Sequence, residues 1–225
     1  MQKFSKVIIL FTVLLMSIPF AFAQDFDPDR IITNSEDWRD VYSIMQYGVL
    51  TKTQTNFLVS SRHATLLTNQ IPKEEQILVF GSEDVPFVVG YESLLKGKGY
   101  DAEESQFADV NLDVARELSG INNFIIVDDS YGYNAISVAP YAAISNSYVL
   151  FADRDNVNDV EDFLDDVGVN ELLIYGQVDR EVTATLEKFS PEIINKEGDR
   201  FENNVEIVKK YRERNAAKQV ILTNG

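Results

Sequence analysis

The stretch Phe124–Ser130, FIIVDDS, decides the reading of this chain, because the sequence states it more than once. Ile31-Ile32-Thr33-Asn34-Ser35 precedes it and Ile221-Leu222-Thr223-Asn224-Gly225 follows it. From Ile31 to Ile126 is 95 residues, and from Ile126 to Ile221 is 95 again. A second phrase keeps the step: Ile77-Leu78-Val79-Phe80-Gly81 returns as Leu172-Leu173-Ile174-Tyr175-Gly176. A period held at two places marks a repeat architecture. The chain reads as a first module over 30–123, a second over 124–218, and the opening strand of a truncated third over 219–225. Ile31 is expected to superimpose on Ile126, and Gly81 on Gly176.

Both modules read as strands alternating with helices. Phe124–Val127, Tyr148–Ala152 and Leu172–Tyr175 are continuously apolar, the pattern of strands buried on both faces. Helices are predicted over Tyr133–Ile144, Asn156–Val167, Val178–Phe189 and Phe201–Arg214, with Glu192–Ile194 an edge strand. Module one is expected to carry strands at Arg30–Asn34, Asn56–Val59 and Gln76–Phe80. Its helices are expected from Trp38, over Ala64–Leu67, from Val85 through Val88 and Val89 to Leu95, and over Phe107–Leu118. The fold class is therefore α/β: two tandem repeats of a small three-layer module with a mostly parallel sheet.

Residues 1–23 have the form of a secretory signal peptide: Lys3 and Lys6, an apolar run over Val7–Phe20, and Ala21-Phe22-Ala23 before Gln24. An acidic leader, 24–29, follows. These features predict a secreted protein with no membrane span after cleavage. Cysteine is absent, which removes thiol catalysis and disulfide frameworks, and the single histidine is His63. The net charge of −16 opposes general binding to nucleic acid or anionic lipid.

Several phrases resemble the cell-wall-binding repeat type 2 family. Gly198-Asp199-Arg200-Phe201-Glu202-Asn203 resembles its "G-x-D-R-Y-E-T-A", and Ile174-Tyr175-Gly176 its "I-x-G-G". Asn134-Ala135-Ile136-Ser137-Val138-Ala139-Pro140-Tyr141 is similar to its "D-A-L-S-A-A-P-L". The resemblance implies exported α/β modules, usually three in tandem, that hold surface-layer and other proteins non-covalently to envelope polysaccharide. The chain departs from the pattern at two places. Ser147-Tyr148-Val149-Leu150-Phe151 replaces "A-P-I-L-L", the strand associated with polymer binding, and Tyr131-Gly132-Tyr133-Asn134-Ala135 lacks the proline and acid of "F-P-D-A".

The candidate ligand-binding residues are Asp128, Asp129, Tyr131, Tyr133, Asn134, Gly176, Asp199 and Arg200. Asp128-Asp129 follows a strand, where open α/β sheets place ligand groups. The pair could bind a cation, act as acid and base in a secreted hydrolase, or cap the next helix. Asp199-Arg200 reads either as an internal ion pair or as an arginine presented to a sugar or acid. Lys209, Lys210, Arg212, Arg214 and Lys218 form a basic cluster that suits a helix C-terminus and would also receive an anionic polymer. The acids from Asp153 to Asp166 fail the EF-hand spacing and read as a solvated helix face. Ser60, Ser61 and His63 lack a nucleophile elbow. No catalytic residue, metal site or cofactor is expected. The leading expectation is a non-enzymatic polysaccharide-binding module, with the hydrolase or a protein–protein adhesion or lattice module as alternatives. Self-association is expected through the strand over 219–225.

Overall fold

The computed structural model describes residues 26–216. The expected signal peptide over 1–23, Lys218 and the expected third-module strand over 219–225 lie outside the described residues. Two four-stranded sheets, all parallel, carry eight α-helices. Module one contains β1 (Arg30–Asn34), α1 (Trp38–Thr51), β2 (Gln54–Phe57), α2 (Ser61–Leu67), β3 (Gln76–Ser82), α3 (Tyr91–Gly97), β4 (Asp101–Phe107) and α4 (Val110–Glu117). Module two contains β5 (Asn123–Val127), α5 (Tyr133–Ser145), β6 (Ser147–Phe151), α6 (Val157–Val167), β7 (Glu171–Tyr175), α7 (Arg180–Leu186), β8 (Glu192–Ile194) and α8 (Arg200–Arg214). The sheet orders are β2-β1-β3-β4 and β6-β5-β7-β8, so the two modules share one topology.

Each sheet is covered on both faces, which is why its central strands are apolar at every position. In module one, Ile31 and Phe80 face α1 and α4, while Ile32, Ile77 and Val79 face α2 and α3. In module two, Ile125, Val127 and Tyr175 face α5 and α8, while Phe124, Ile126 and Ile174 face α6 and α7.

Pairing corrects the expected superposition by one residue. Ile31 lies opposite Leu78 and Ile125 lies opposite Leu173, so Ile31 corresponds to Ile125. Two equivalent bonds agree: Leu58 N–H donates to Thr33 O, and Ala152 N–H to Val127 O. The first strands are thus 94 residues apart, whereas Gly81 and Gly176 keep a step of 95. A slip of one residue in a strand moves every side chain to the other face. Ile126 therefore points at α6, and Asp128 stands at the place of Asn34.

Two further expectations fail in module one. Val85, Val88 and Val89 belong to a loop rather than a helix, and Val89 is exposed. Pro86 explains this, since the residue before a proline is steered out of the helical region. The helix expected over Phe107–Leu118 begins only at Val110, because Asp101–Phe107 is a strand. That strand is a polar sheet edge, so it carries no apolar run to announce it.

The modules pack through the edge of β6. Two side chains from module one occupy the place of a neighbouring strand there. Gln46 Oε1, on α1, accepts from Val149 N–H at 2.8 Å. Asn111, on α4, accepts from Phe151 N–H at 2.9 Å through Oδ1 and donates to Val149 O at 3.0 Å through Nδ2. The fully buried Tyr148 donates its hydroxyl to Asn111 O at 3.0 Å. Tyr42 of α1 packs on Phe151 and donates to Ala135 O at 2.7 Å. Replacing Asn111 by Leu would strand Phe151 N–H and leave Val149 O only the 3.5 Å bond from Gln46 Nε2, at about 1–3 kcal/mol for a buried group left unpaired. Urea unfolding of Asn111→Leu is expected to show a loss of about 2–4 kcal/mol; a loss within error of zero would mean that this edge is satisfied otherwise.

Candidate functional site

The open groove of module two lies at the C-terminal ends of β5 and β7, where parallel sheets place ligand sites. It encloses about 300 Å³ and is lined by Asp128, Tyr131, Tyr133, Asn134, Gln177, Gly198, Arg200 and Asn203. Asp128 turns the chain out of β5 by accepting from Ser130 N–H at 2.9 Å. The loop it starts delivers Tyr131 and Tyr133, 71% and 60% exposed, with their rings stacked at 6.3 Å and inclined by 29°. The Arg200 guanidinium lies 5.3 Å from the Tyr133 ring centre and 4.9 Å from that of Phe201.

Gly176 is required at the floor. Its φ is +79°, and a Cβ there would come within 2.6 Å of Asn134 Nδ2. The opposite wall is the turn before α8. Asp199 caps that helix by accepting from Phe201 N–H at 2.8 Å and Glu202 N–H at 3.2 Å. Buried Asn203 accepts from Lys196 N–H at 2.7 Å and pins the turn.

Five of the eight residues proposed from sequence therefore share one groove, and two more, Gly176 and Asp199, shape it. Asp199 and Arg200 do not form the ion pair considered as one reading: the carboxylate is spent on the cap and the guanidinium on the ring. Asp129 leaves the groove altogether. Its carboxylate pairs with Arg39 Nη1 of α1 at 2.6 Å and lines a second cleft, about 390 Å³, between the modules. Asp128 and Asp129 thus face different depressions and do not form a two-carboxylate centre. Gln177, Gly198 and Asn203 were not singled out from sequence. The last two lie within the Gly198–Asn203 phrase, which was the available signal.

Three cations of the basic cluster are paired at the other end of the sheet. Lys209 pairs with Glu206, Lys210 with Glu192 and Arg214 with Glu171, at 2.8, 2.7 and 2.6 Å. With 15 residues, α8 puts about 20 Å between Arg200 and Arg214. In the acidic run, Asp153 accepts from the N–H groups of Asp155 and Asn156, while Glu161 and Asp165 hold Lys188. Ser60 accepts from His63 N–H and so caps α2. Among the described residues, no three carboxylates or histidines meet in a way that could hold a metal ion. Among them, too, no helix is long and apolar enough to cross a membrane.

Module one closes the corresponding position with its own chain. Asn34 donates to Val88 O at 2.7 Å and accepts from Val88 N–H at 3.1 Å. From Gly81 to the helix cap at Gly90 the chain is six residues longer than from Gly176 to Asp179, and the extra length covers the strand ends.

No protein-family model and no curated sequence matches this chain. Solved structures do. Cwp6 from Clostridium difficile matches with a TM-score of 0.65 at 14% identity, over 83% of this chain and 32% of that one. Cwp8 from Clostridium difficile matches at 0.60 and 19% identity, over 83% and 34%. The likeness is one of fold. This chain spans about a third of the length of each of these structures.

In the cleft between the modules, burial pushes the Asp40 carboxyl up from the ordinary aspartate value of 3.8, against the hydrogen bond it receives from Ser35. Asp37 and Asp109 add repulsion, and Arg39 offsets part of it. A carboxyl with a raised folded-state pKa binds its proton more tightly in the native state, so it destabilises the fold at neutral pH. Asp40→Asn is therefore expected to raise the urea midpoint at pH 7, with the gain fading as pH falls through the raised native pKa and gone below 3.8, where the group is protonated in both states. A gain that persisted unchanged below that pH would show that charge is not its source.

Proposed function

We propose that the chain is a secreted, non-catalytic envelope module that holds cell-surface polysaccharide in the open groove of module two. The observation that carries this reading is the stacked, exposed pair Tyr131 and Tyr133 beside Arg200 and Asn134. The axial C–H face of a sugar ring is faintly positive and the face of a tyrosine negative, so the two stack without demanding charge. Around that platform, Asn134 and Gln177 offer amide donors and acceptors to hydroxyl groups, and Arg200 offers a planar donor fork. A shallow groove with polar groups around aromatic rings suits one segment of a polymer. The resemblance of the Gly198–Asn203 and Asn134–Tyr141 phrases to envelope-anchoring repeats supports the same assignment, as does the exported character of residues 1–23. The separation of Asp128 from Asp129 weighs against the hydrolase.

The test uses the exported chain, beginning at Gln24, on immobilised neutral and anionic envelope polysaccharides. Joint replacement of Tyr131, Tyr133 and Arg200 by Ala is expected to weaken retention at least about tenfold, equivalent to about 1.4 kcal/mol, with the thermal transition intact. Replacing Lys209, Lys210 and Arg214 by Ala is expected to leave retention unchanged, because those cations are already paired. Failure of the folded chain to retain any of these polymers would remove the assignment.

A further inference from the structure

The repeat makes a prediction about a surface that the described residues leave uncovered. Module one uses the outer face of α1 and α4 to cover the edge of β6. The equivalent face of module two is formed by α5 and α8. The equivalent edge of module one is β2.

Residue correspondences follow from the structure. Both α1 and α5 end on a left-handed cap, Lys52 and Asn146, whose N–H groups return to Gly48 O and Ala142 O. Tyr42 therefore corresponds to Ile136. In the second helix pair, aligning Val114, one of four buried apolar residues of α4, with Ile207, the buried apolar residue of α8, sets Asn111 against Asn204. The 94-residue step places Val149 at Thr55 and Phe151 at Phe57. Asn111 is buried and Tyr42 half-buried in the contact between the modules. By contrast, Ile136 is 66% and Phe201 67% exposed, Val205 is exposed beside them, and Asn204 accepts from Tyr175 while its amide nitrogen has no partner among the described residues. On β2, Phe57 is exposed. Leu58 N–H turns inward to Thr33 O, so by strand alternation the N–H and C=O of Thr55 and the N–H of Phe57 turn outward.

We infer that the α5/α8 face of one copy docks on the β2 edge of a second copy, repeating between chains the contact that joins the two modules within one. Ile136 and Phe201 would cover Phe57, as Tyr42 covers Phe151, and Asn204 would donate to Thr55 O, as Asn111 donates to Val149 O. The contact is head-to-tail: each copy offers one face and one edge, and they are different surfaces. It does not use the stacked tyrosines of the saccharide groove, and it borders that groove at Phe201, whose ring the Arg200 guanidinium overlies at 4.9 Å. Net charge opposes it, so screening by salt strengthens it.

Sedimentation of the exported chain across a concentration series, at low and at high salt, tests the inference. The weight-average mass is expected to rise with concentration, more steeply in high salt. Ile136→Asp and Phe57→Asp are each expected to abolish the rise, and mixing the two variants is expected to restore a dimer, since one keeps its edge and the other its face. Thr55→Pro, which removes an outward N–H together with the side chain that donates to Met45 Sδ, gives a second edge variant should Phe57→Asp melt early. A monomer at every concentration and salt, association untouched by either change, or a mixture that stays monomeric would overturn the inference.

Discussion

The two-module body depends on the way the free edge of β6 is closed. An edge strand in a parallel sheet leaves a row of backbone donors and acceptors unpaired, and burying them unpaired is costly. Here Gln46 and Asn111 supply what a ninth strand would have supplied. A primary amide carries both a donor and an acceptor, so one side chain can serve an N–H and a C=O as a peptide group does. Because those amides project from α1 and α4, the contact fixes both helices over module two. Trp38 and Tyr42 then pack on Phe151, and one apolar cluster runs from the α1/α4 face of module one into the α6/α7 face of module two.

The same contact explains why the two aspartates after β5 diverge. Once α1 is in place, its first turn brings Arg39 to Asp129, and the guanidinium is shared with Asp37. These groups are partly exposed, so the pair contributes little stability. Its effect is positional: it pulls Asp129 toward module one and leaves Asp128 to start the loop that carries Tyr131 and Tyr133. Module one, with no neighbour at the corresponding place, fills its strand ends with the loop held by Asn34 and Val88. Equivalent strand ends thus carry a plug in one module and a groove in the other.

Electrostatics points the same way. The chain is strongly acidic, yet cations of its most basic helix are tied to Glu171, Glu192 and Glu206 at the far end of the sheet. The polysaccharide recognition we propose for the groove would then rest on contacts that act over a few ångströms: ring stacking, amide hydrogen bonds and the fork of Arg200. Asp128 on one side and Arg200 on the other leave the groove close to neutral within an acidic surface. Under the proposed function, such a groove would discriminate by shape and hydroxyl pattern more than by net charge.

The parts legible in the sequence were those written in period and in apolar runs. The central strands of both sheets announce themselves because burial on two faces leaves no room for polar residues, and Gly176 announces itself because a side chain there would collide with Asn134. The groove was partly legible because its residues sit in three phrases that each end an apolar run. Polar edges were not: Asp101–Phe107 reads as a helix approach until β3 is seen beside it. Nor was the register of the first strand, since Ile31-Ile32 and Ile125-Ile126 are pairs of like residues and a slip between them costs nothing in hydropathy. Only the pairing of β1 with β3, and of β5 with β7, decides it. The seal on β6 was the least legible feature. Gln46 and Asn111 look like ordinary polar residues on amphipathic helices, and their task depends on a strand about 40 or 100 residues further along the chain. A buried amide becomes informative only once a partner is identified, and that partner is backbone, which carries no signature in sequence.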